Sequence, residues 1–230
     1  MLKNTTIVFD LDGTLVDTAP DLTNTLNHVL RGRGHAPVTL AMTRSTVGHG
    51  ARVMIEEALR LKGAEDDVDQ MLADFLVHYE ANIAVESRPY PGAVAALERL
   101  SSLGATLAVC TNKRENLSRL LLEALALDGY FAALAGRDTF RVSKPDPGHL
   151  TGVIDRAGGD VARALMVGDS AVDLAAARGA GVPSVLVSFG YAPPSPGGPR
   201  PDAVIDHFDA LEDAALALFA RAARKAGASS

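Results

Sequence analysis

Phe9-Asp10-Leu11-Asp12-Gly13-Thr14-Leu15 closes a short β-branched and apolar run, Thr5-Thr6-Ile7-Val8-Phe9. Such a run predicts a buried strand of a parallel sheet. It stops at two carboxylates two positions apart, which an extended chain presents on the same side. Asp10 and Asp12 therefore emerge together past the carboxyl end of a strand, where open α/β sheets place their ligands. Gly13 permits a tight turn and brings its amide close to an anion. Two neighbouring carboxylates repel, and a divalent cation or unequal sharing of protons relieves the repulsion. That suits one carboxylate as nucleophile and the other as acid/base. A bare Asp-x-Asp-Gly also describes a solvated turn, so the rest of the chain decides.

After Leu15 the pattern becomes helical. Thr18-Ala-Pro-Asp21 reads as a capping box with proline in the first turn, and Leu22, Leu26, Val29 and Leu30 form one apolar face. Helices are predicted over Leu40–Val47, Ala51–Leu61 and Asp66–Ile83, with Gly48-His49-Gly50 as an interruption and Met71, Phe75 and Tyr79 as a stripe. No strand is legible between residues 18 and 84. From Pro91 helices and strands alternate: helices Ala93–Leu103, Glu115–Ala126, Gly148–Ala157 and Ala171–Arg178; strands Ala105–Cys110, Ala132–Ala135, Ala164–Val167, Ser184–Val187 and Ala203–Ile205. This predicts an α/β fold, a doubly wound parallel sheet of Rossmann-like design. The first strand belongs to that sheet. Residues 1–16 and 86–230 then form the core domain, and 17–85 an inserted all-helical domain joined by linkers near Val16–Asp17 and Val85–Gly92. Gly190–Pro201, rich in proline and glycine, reads as a mobile loop. Leu211, Ala215, Leu218 and Phe219 mark a closing helix.

The 230 residues suffice for a sizeable core in one or two domains. A net charge of −6 without a Lys/Arg cluster argues against a nucleic-acid partner. The lone Cys110 lies in an apolar run and reads as a small buried hydrophobe. No apolar stretch spans a membrane and no signal peptide is legible, so the expectation is a cytoplasmic protein without membrane partners. The dispersed histidines lack metal-ligand spacing, and no P-loop or dinucleotide glycine motif is present.

Three further strand ends carry polar residues. Thr111-Asn112-Lys113 follows the second long strand; Thr111 and Asn112 suit phosphate oxygens, or a helix N-cap, or both. Lys144 lies in Val142-Ser143-Lys144-Pro145-Asp146-Pro147, a rigid setting that suits a lysine aimed at a transferring phosphoryl group. Gly168-Asp169-Ser170 ends another strand, and Ser170-x-x-Asp173 is a capping box. Asp173 can cap and also assist the site.

In order, Asp10-x-Asp12-Gly13-Thr14, Thr111, Lys144-Pro145 and Gly168-Asp169-Ser170-x-x-Asp173 resemble the four motifs of the haloacid-dehalogenase-like hydrolase superfamily. The resemblance spans about residues 5–175, and the helical insertion sits where that superfamily carries its cap. Val47-Gly48-His49-Gly50-Ala51-Arg52, Lys144-Pro145-Asp146-Pro147 and Pro201-Asp202-Ala203-Val204-Ile205-Asp206 bring it closer to a bacterial branch that hydrolyses 2-phosphoglycolate. The resemblance implies a small phosphomonoester as substrate, Asp10 as nucleophile forming an aspartyl-phosphate, and Asp12 as general acid and then base. It implies Mg²⁺ held by Asp10, Asp169 and the backbone carbonyl of Asp12. Gly13, Thr111, Asn112 and Lys144 would receive the phosphoryl group. Gly48, His49, Gly50 and Arg52 would form a specificity loop that closes over it. Ser170 and Asp173 would support the site, in a monomer or homodimer.

Pyrophosphatase and sugar phosphomutase chemistry fit the same core. A receiver-like signalling module phosphorylated on aspartate needs neither the acid/base at Asp12 nor an inserted domain.

Overall fold

The structure, a computed structural model, describes residues 2–191 and 197–228. Strand β1 (Thr6–Phe9) is buried along its length. Its alternation serves two faces: Ile7 and Phe9 join one apolar cluster, Val8 another. A two-residue strand, β2 (Val16–Asp17), follows the carboxylate turn. Helices α1 (Ala19–Gly32), α2 (Leu40–Arg44), α3 (Ala51–Lys62) and α4 (Val68–Ala81) come next. After β3 (Arg88–Pro89) the chain alternates through α5 (Ala93–Ser102), β4 (Thr106–Cys110), α6 (Glu115–Ala124), β5 (Ala133–Ala135), α7 (Pro147–Arg156), β6 (Ala164–Gly168), α8 (Ala171–Ala180), β7 (Ser184–Val187) and β8 (Ala203–Ile205), and α9 (Leu211–Ala228) closes it.

Six strands form one sheet in the order β5-β4-β1-β6-β7-β8, and every pair is parallel. The fold is the expected doubly wound α/β sheet. Because β4 lies on one side of β1 and β6 on the other, the strand order reverses at β1 and opens a crevice at the carboxyl ends. Leu97 and Leu100 of α5 and Leu211 of α9 cover one face with Ile7 and Phe9. Leu150 and Val153 of α7 and Ala177 of α8 cover the other with Val8 and Met166. Cys110 lies in this second layer, where burial pushes its thiol up to about 12.

The helices between β2 and β3 bury an apolar cluster of their own, centred on Leu26, Leu30, Ile55, Met71, Phe75 and Tyr79. The helix predicted over Leu40–Val47 stops at Arg44. Ser45 and Thr46 fold their hydroxyls back onto the carbonyls of Met42 and Thr43, which competes with further helix. One 3₁₀ turn, Val47–His49, follows. The two predicted linkers pair with each other as an antiparallel ribbon, Val16 opposite Pro89 and Asp17 opposite Arg88. The centre of the proline- and glycine-rich stretch, residues 192–196, lies outside the described residues.

The capping box predicted at Thr18 and Asp21 does not form. Pro20 occupies the first turn of α1, yet the Thr18 hydroxyl donates instead to Asp12 Oδ1 at 2.7 Å. Asp21 turns away to accept the amides of Glu86 (2.9 and 3.0 Å) and Ser87 (2.8 Å) and the Ser87 hydroxyl (2.7 Å). It thus anchors the return crossing to the first helix.

Asp21 is buried, so replacing it leaves those donors without a partner away from water. Asp21→Ala is expected to lower the unfolding free energy by about 2–3 kcal/mol, read by urea denaturation, with Asp21→Asn losing less. A change under about 0.5 kcal/mol in the alanine variant contradicts the anchoring role.

Candidate active site

The turns after β1, β4 and β6 meet because those strands are neighbours. Asp10 follows β1 and is buried. The Lys144 ammonium lies 2.9 Å from Asp10 Oδ1 and 2.6 Å from Asp173 Oδ1. The other oxygen of Asp173 accepts from the amide (3.1 Å) and hydroxyl (2.6 Å) of Ser170, so the expected capping box of α8 is complete. Asp173 therefore starts a helix and holds a lysine at once. Oxygens of Asp10, Asp169 and Asp173 all lie within 4.8 Å of one another.

The loop that brings Lys144 here is held by His149, whose Nδ1 accepts the Lys144 amide (3.1 Å) and whose Nε2 meets the Gly136 carbonyl (3.0 Å). Burial and the Lys144 charge push the His149 pKa down to about 4, so the ring stays neutral and can accept. Asn112 donates its side-chain amide to the Lys144 carbonyl at 3.0 Å. Asp169 accepts the Tyr191 amide at 2.7 Å. Gly13 has φ of +83°, and a Cβ there would stand 2.5 Å from the Asp169 carboxylate, so only glycine permits this approach.

Burial, reinforced by the other carboxylates and opposed by Lys144, raises the pKa of both Asp10 and Asp169 well above the usual carboxylate range. Burial also works against the Lys144 ammonium, but Asp10 and Asp173 outweigh it and its pKa ends above the usual lysine range. Asp10 Oδ1 is buried and, among the described residues, accepts no aligned hydrogen bond. Asp173 is committed to the Lys144 ammonium through one oxygen and to the cap of α8 through the other. Among the described residues Asp169 meets only neutral donors, the Thr14 hydroxyl (3.5 Å) and the Tyr191 amide (2.7 Å), and Asp10 meets Lys144 through one oxygen, so Asp10 and Asp169 are the carboxylates better fitted to a hard cation.

Asp12 borders a second space as well. Its Oδ1 accepts from Thr18, and Lys113 Nζ stands 3.1 and 3.3 Å from its two oxygens. Lys113 also donates to the Tyr79 hydroxyl at 2.8 Å and lies 4.5 Å from the centre of that ring. A cavity of about 450 Å³ opens beside them, walled by Asp12, Asn112 and Lys113 from the sheet end and by Leu22, Met54 and Phe75 from the helices. Asp12, Asn112 and Lys113 also wall a small polar pocket with Asp10, Thr111 and Lys144. The two spaces therefore share a boundary at these residues.

Neither Thr111 nor Asn112 caps α6. That helix starts at Glu115, whose amide Asp138 satisfies at 2.8 Å. Thr111 accepts the Lys113 amide at 3.2 Å and is left facing the polar pocket. The expected specificity loop divides. Gly48 lines the polar pocket and Gly50 the large cavity, with Arg137 Nη1 2.8 Å from where a Gly50 Cβ would stand. His49 is exposed and walls neither space, and Arg52 reaches the cavity rim with its guanidinium paired to Asp69.

Lys113, Tyr79, His149 and Tyr191 escaped sequence reasoning. Lys113 carried a local signal, a lysine three residues past a strand end beside two candidate ligands. Tyr191 carried none. Its hydroxyl accepts the amides of Thr18 (2.7 Å) and Ala19 (2.9 Å) and donates to Asp17 (2.6 Å), so it does the capping at α1 that Thr18 forgoes.

A family model described as haloacid dehalogenase-like hydrolase matches residues 7–187. A phosphoglycolate phosphatase of Agrobacterium fabrum is 52% identical over 210 residues, 90% of each chain. One of Mesorhizobium japonicum is 53% identical over 208 residues, 89% of this chain and 92% of its own. Among solved structures, a predicted phosphoglycolate phosphatase from Haemophilus somnus superposes with a TM-score of 0.84 at 28% identity, covering 93% of this chain and 98% of the other. The chain thus belongs to the haloacid dehalogenase-like hydrolase family and is one of its phosphatases.

Proposed function

We propose that this phosphatase hydrolyses 2-phosphoglycolate to glycolate and phosphate with Mg²⁺ as cofactor, through an aspartyl-phosphate on Asp10. The observation that carries the chemistry is the placing of the two carboxylates: Asp10 faces Lys144 and Asp169 in the small polar pocket, whereas Asp12 lines both that pocket and the adjoining cavity. The names of the relatives support the substrate.

An oxygen of Asp10 attacks phosphorus while the bond to the ester oxygen breaks. Asp12 gives that oxygen its proton, and glycolate leaves. Asp12 then takes a proton from water, the resulting hydroxide attacks phosphorus, and the Asp10–phosphorus bond breaks to release phosphate. Lys144 and Thr111 hold the phosphoryl oxygens throughout. Asp10, Asp169 and the Asp12 carbonyl would hold Mg²⁺, which would supply positive charge against the phosphoryl oxygens. Several parts are required because phosphate-monoester hydrolysis calls for acceleration of up to ~10²¹, and one acid/base group gives about 10²–10⁴. The helical segment 17–85 acts as a cap that excludes water, with Gly48 and Gly50 at its inner edge.

A hydrolysis screen over 2-phosphoglycolate, other small phosphomonoesters, pyrophosphate and sugar phosphates, with and without Mg²⁺, tests the reading; preference for pyrophosphate or a sugar phosphate rejects it. Asp10→Asn is expected to abolish turnover in a folded protein, and retained activity removes Asp10 as nucleophile. Asp12→Asn is expected to slow 2-phosphoglycolate far more than p-nitrophenyl phosphate, whose leaving group needs little protonation. Equal losses exclude Asp12 as the acid.

The raised pKa values of Asp10 and Asp169 set a pH dependence for the metal-free protein. Folded, these groups bind protons over a range where the unfolded chain has lost them, so stability falls as pH rises from the ordinary carboxylate range through neutrality. Thermal melts in EDTA are expected to drop between about pH 5.5 and about pH 8, and Mg²⁺ to restore more at the higher pH. A Mg²⁺ effect larger at the lower pH contradicts the assignment of these carboxylates.

A further inference from the structure

We infer that Lys113 is the specificity-determining residue for the leaving group: its ammonium receives the carboxylate that distinguishes the substrate from neutral phosphomonoesters. The inference rests on the substrate reading above and assigns the recognition to one group.

Lys113 walls both the small polar pocket and the large cavity, as Asp12 does. A leaving group protonated by Asp12 must begin where these two spaces meet. In glycolate the carboxylate carbon is two bonds from the ester oxygen, so its charge falls beside Asp12 and not at the far wall. Lys113 Nζ, 3.1 Å from Asp12, is the cation at that spot.

Lys113 is also preorganised. The Lys113 side chain is 6% exposed, in contrast to Arg52, Arg114 and Arg137, the exposed guanidinium residues of the cavity wall. Tyr79 holds it from the helical side through its hydroxyl and ring face, and Asp12 holds it from the sheet side. An ammonium has three donors. Among the described residues they meet the two Asp12 oxygens, at 3.1 and 3.3 Å, and the Tyr79 hydroxyl, so a ligand carboxylate takes over the longer of the two contacts to Asp12 while the other two bonds keep the ammonium in place. A fixed, desolvated charge discriminates better than a mobile surface one because little ordering remains to be done on binding.

The geometry also reassigns the role expected of the loop at residues 48–52. Arg52 is occupied by Asp69, and His49 faces outward. Gly50 shapes the wall without supplying a charge. The anion is met from the sheet side, one residue beyond the Thr111-Asn112 pair that faces the phosphoryl group.

Calorimetric binding of two unreactive ligands in the presence of Mg²⁺ tests this. 3-Phosphonopropionate has a methylene in place of the ester oxygen, and 3-phosphonopropionamide matches it in shape without the negative charge. Wild-type protein is expected to bind the carboxylate at least about tenfold more tightly than the amide, the worth of a charge-assisted hydrogen bond. Lys113→Met, folded by circular dichroism, is expected to bind the two within about twofold of one another. Tyr79→Phe keeps the packing and loses only the tether. It is expected to cut the preference about threefold, the worth of an ordinary hydrogen bond, and serves equally where Lys113→Met does not fold. Arg137→Ala is expected to keep the full preference. A wild-type preference that survives both Lys113→Met and Tyr79→Phe overturns the inference and leaves the substrate reading standing, as does a preference abolished by Arg137→Ala. Absence of any preference in the wild type rejects the substrate reading, and the assignment of Lys113 with it.

Discussion

Three carboxylates buried within 4.8 Å of one another constitute an arrangement that water alone does not stabilise. Lys144 makes it possible. Its ammonium lies between Asp10 and Asp173, and the chain devotes much local structure to keeping it there. His149, Asn112 and the capping box of α8 each spend a hydrogen-bonding group on the lysine or on its partner Asp173. Even so, burial first and then the neighbouring carboxylates raise the pKa values of Asp10 and Asp169, so negative charge there stays costly and unbalanced. The protein holds this imbalance at the sheet end, where a cation and a phosphoryl group can meet it.

A second buried lysine organises the neighbouring space. Lys113 joins Asp12, from the turn after β1, to Tyr79 of α4, so Asp12 and the helical block share one ammonium. Tyr191 makes a comparable link on the other side: its amide reaches Asp169, and its hydroxyl reaches Asp17 and the first amides of α1. Each of these side chains joins a piece of the candidate site to the base or wall of the helical block.

The sheet was legible because parallel strands leave a local trace, a short apolar run followed by a polar turn. For the same reason Asp10, Thr111 and Asp169 could be read as strand-end residues before their neighbours were known. What escaped the sequence depends on distant partners. Thr18 and Asp21 have the spacing of a capping box, but the Thr18 hydroxyl is claimed by Asp12 and the Asp21 carboxylate by residues 86 and 87. The true cap, Tyr191, comes from more than 170 residues away. The stopping point of α2 was missed for a local reason: the Ser45 and Thr46 hydroxyls outcompete the next helical turn, an effect that hydrophobic periodicity does not register. His149 lay in a helix by pattern, and nothing in that pattern announces that its ring carries a lysine loop.

The ribbon formed by β2 and β3 bears on how such a molecule is assembled. Because the outgoing and returning segments leave the sheet side by side, with Asp17 opposite Arg88, an excision between them leaves two ends that a two-residue hairpin can bridge. Inserted sequence closes a loop whose ends are already adjacent, and the entropic cost of that loop grows only with the logarithm of its length. The helical block is in this sense a cassette. Its size and contents can change with little disturbance of the sheet, while the sheet keeps the carboxylates and the two buried lysines.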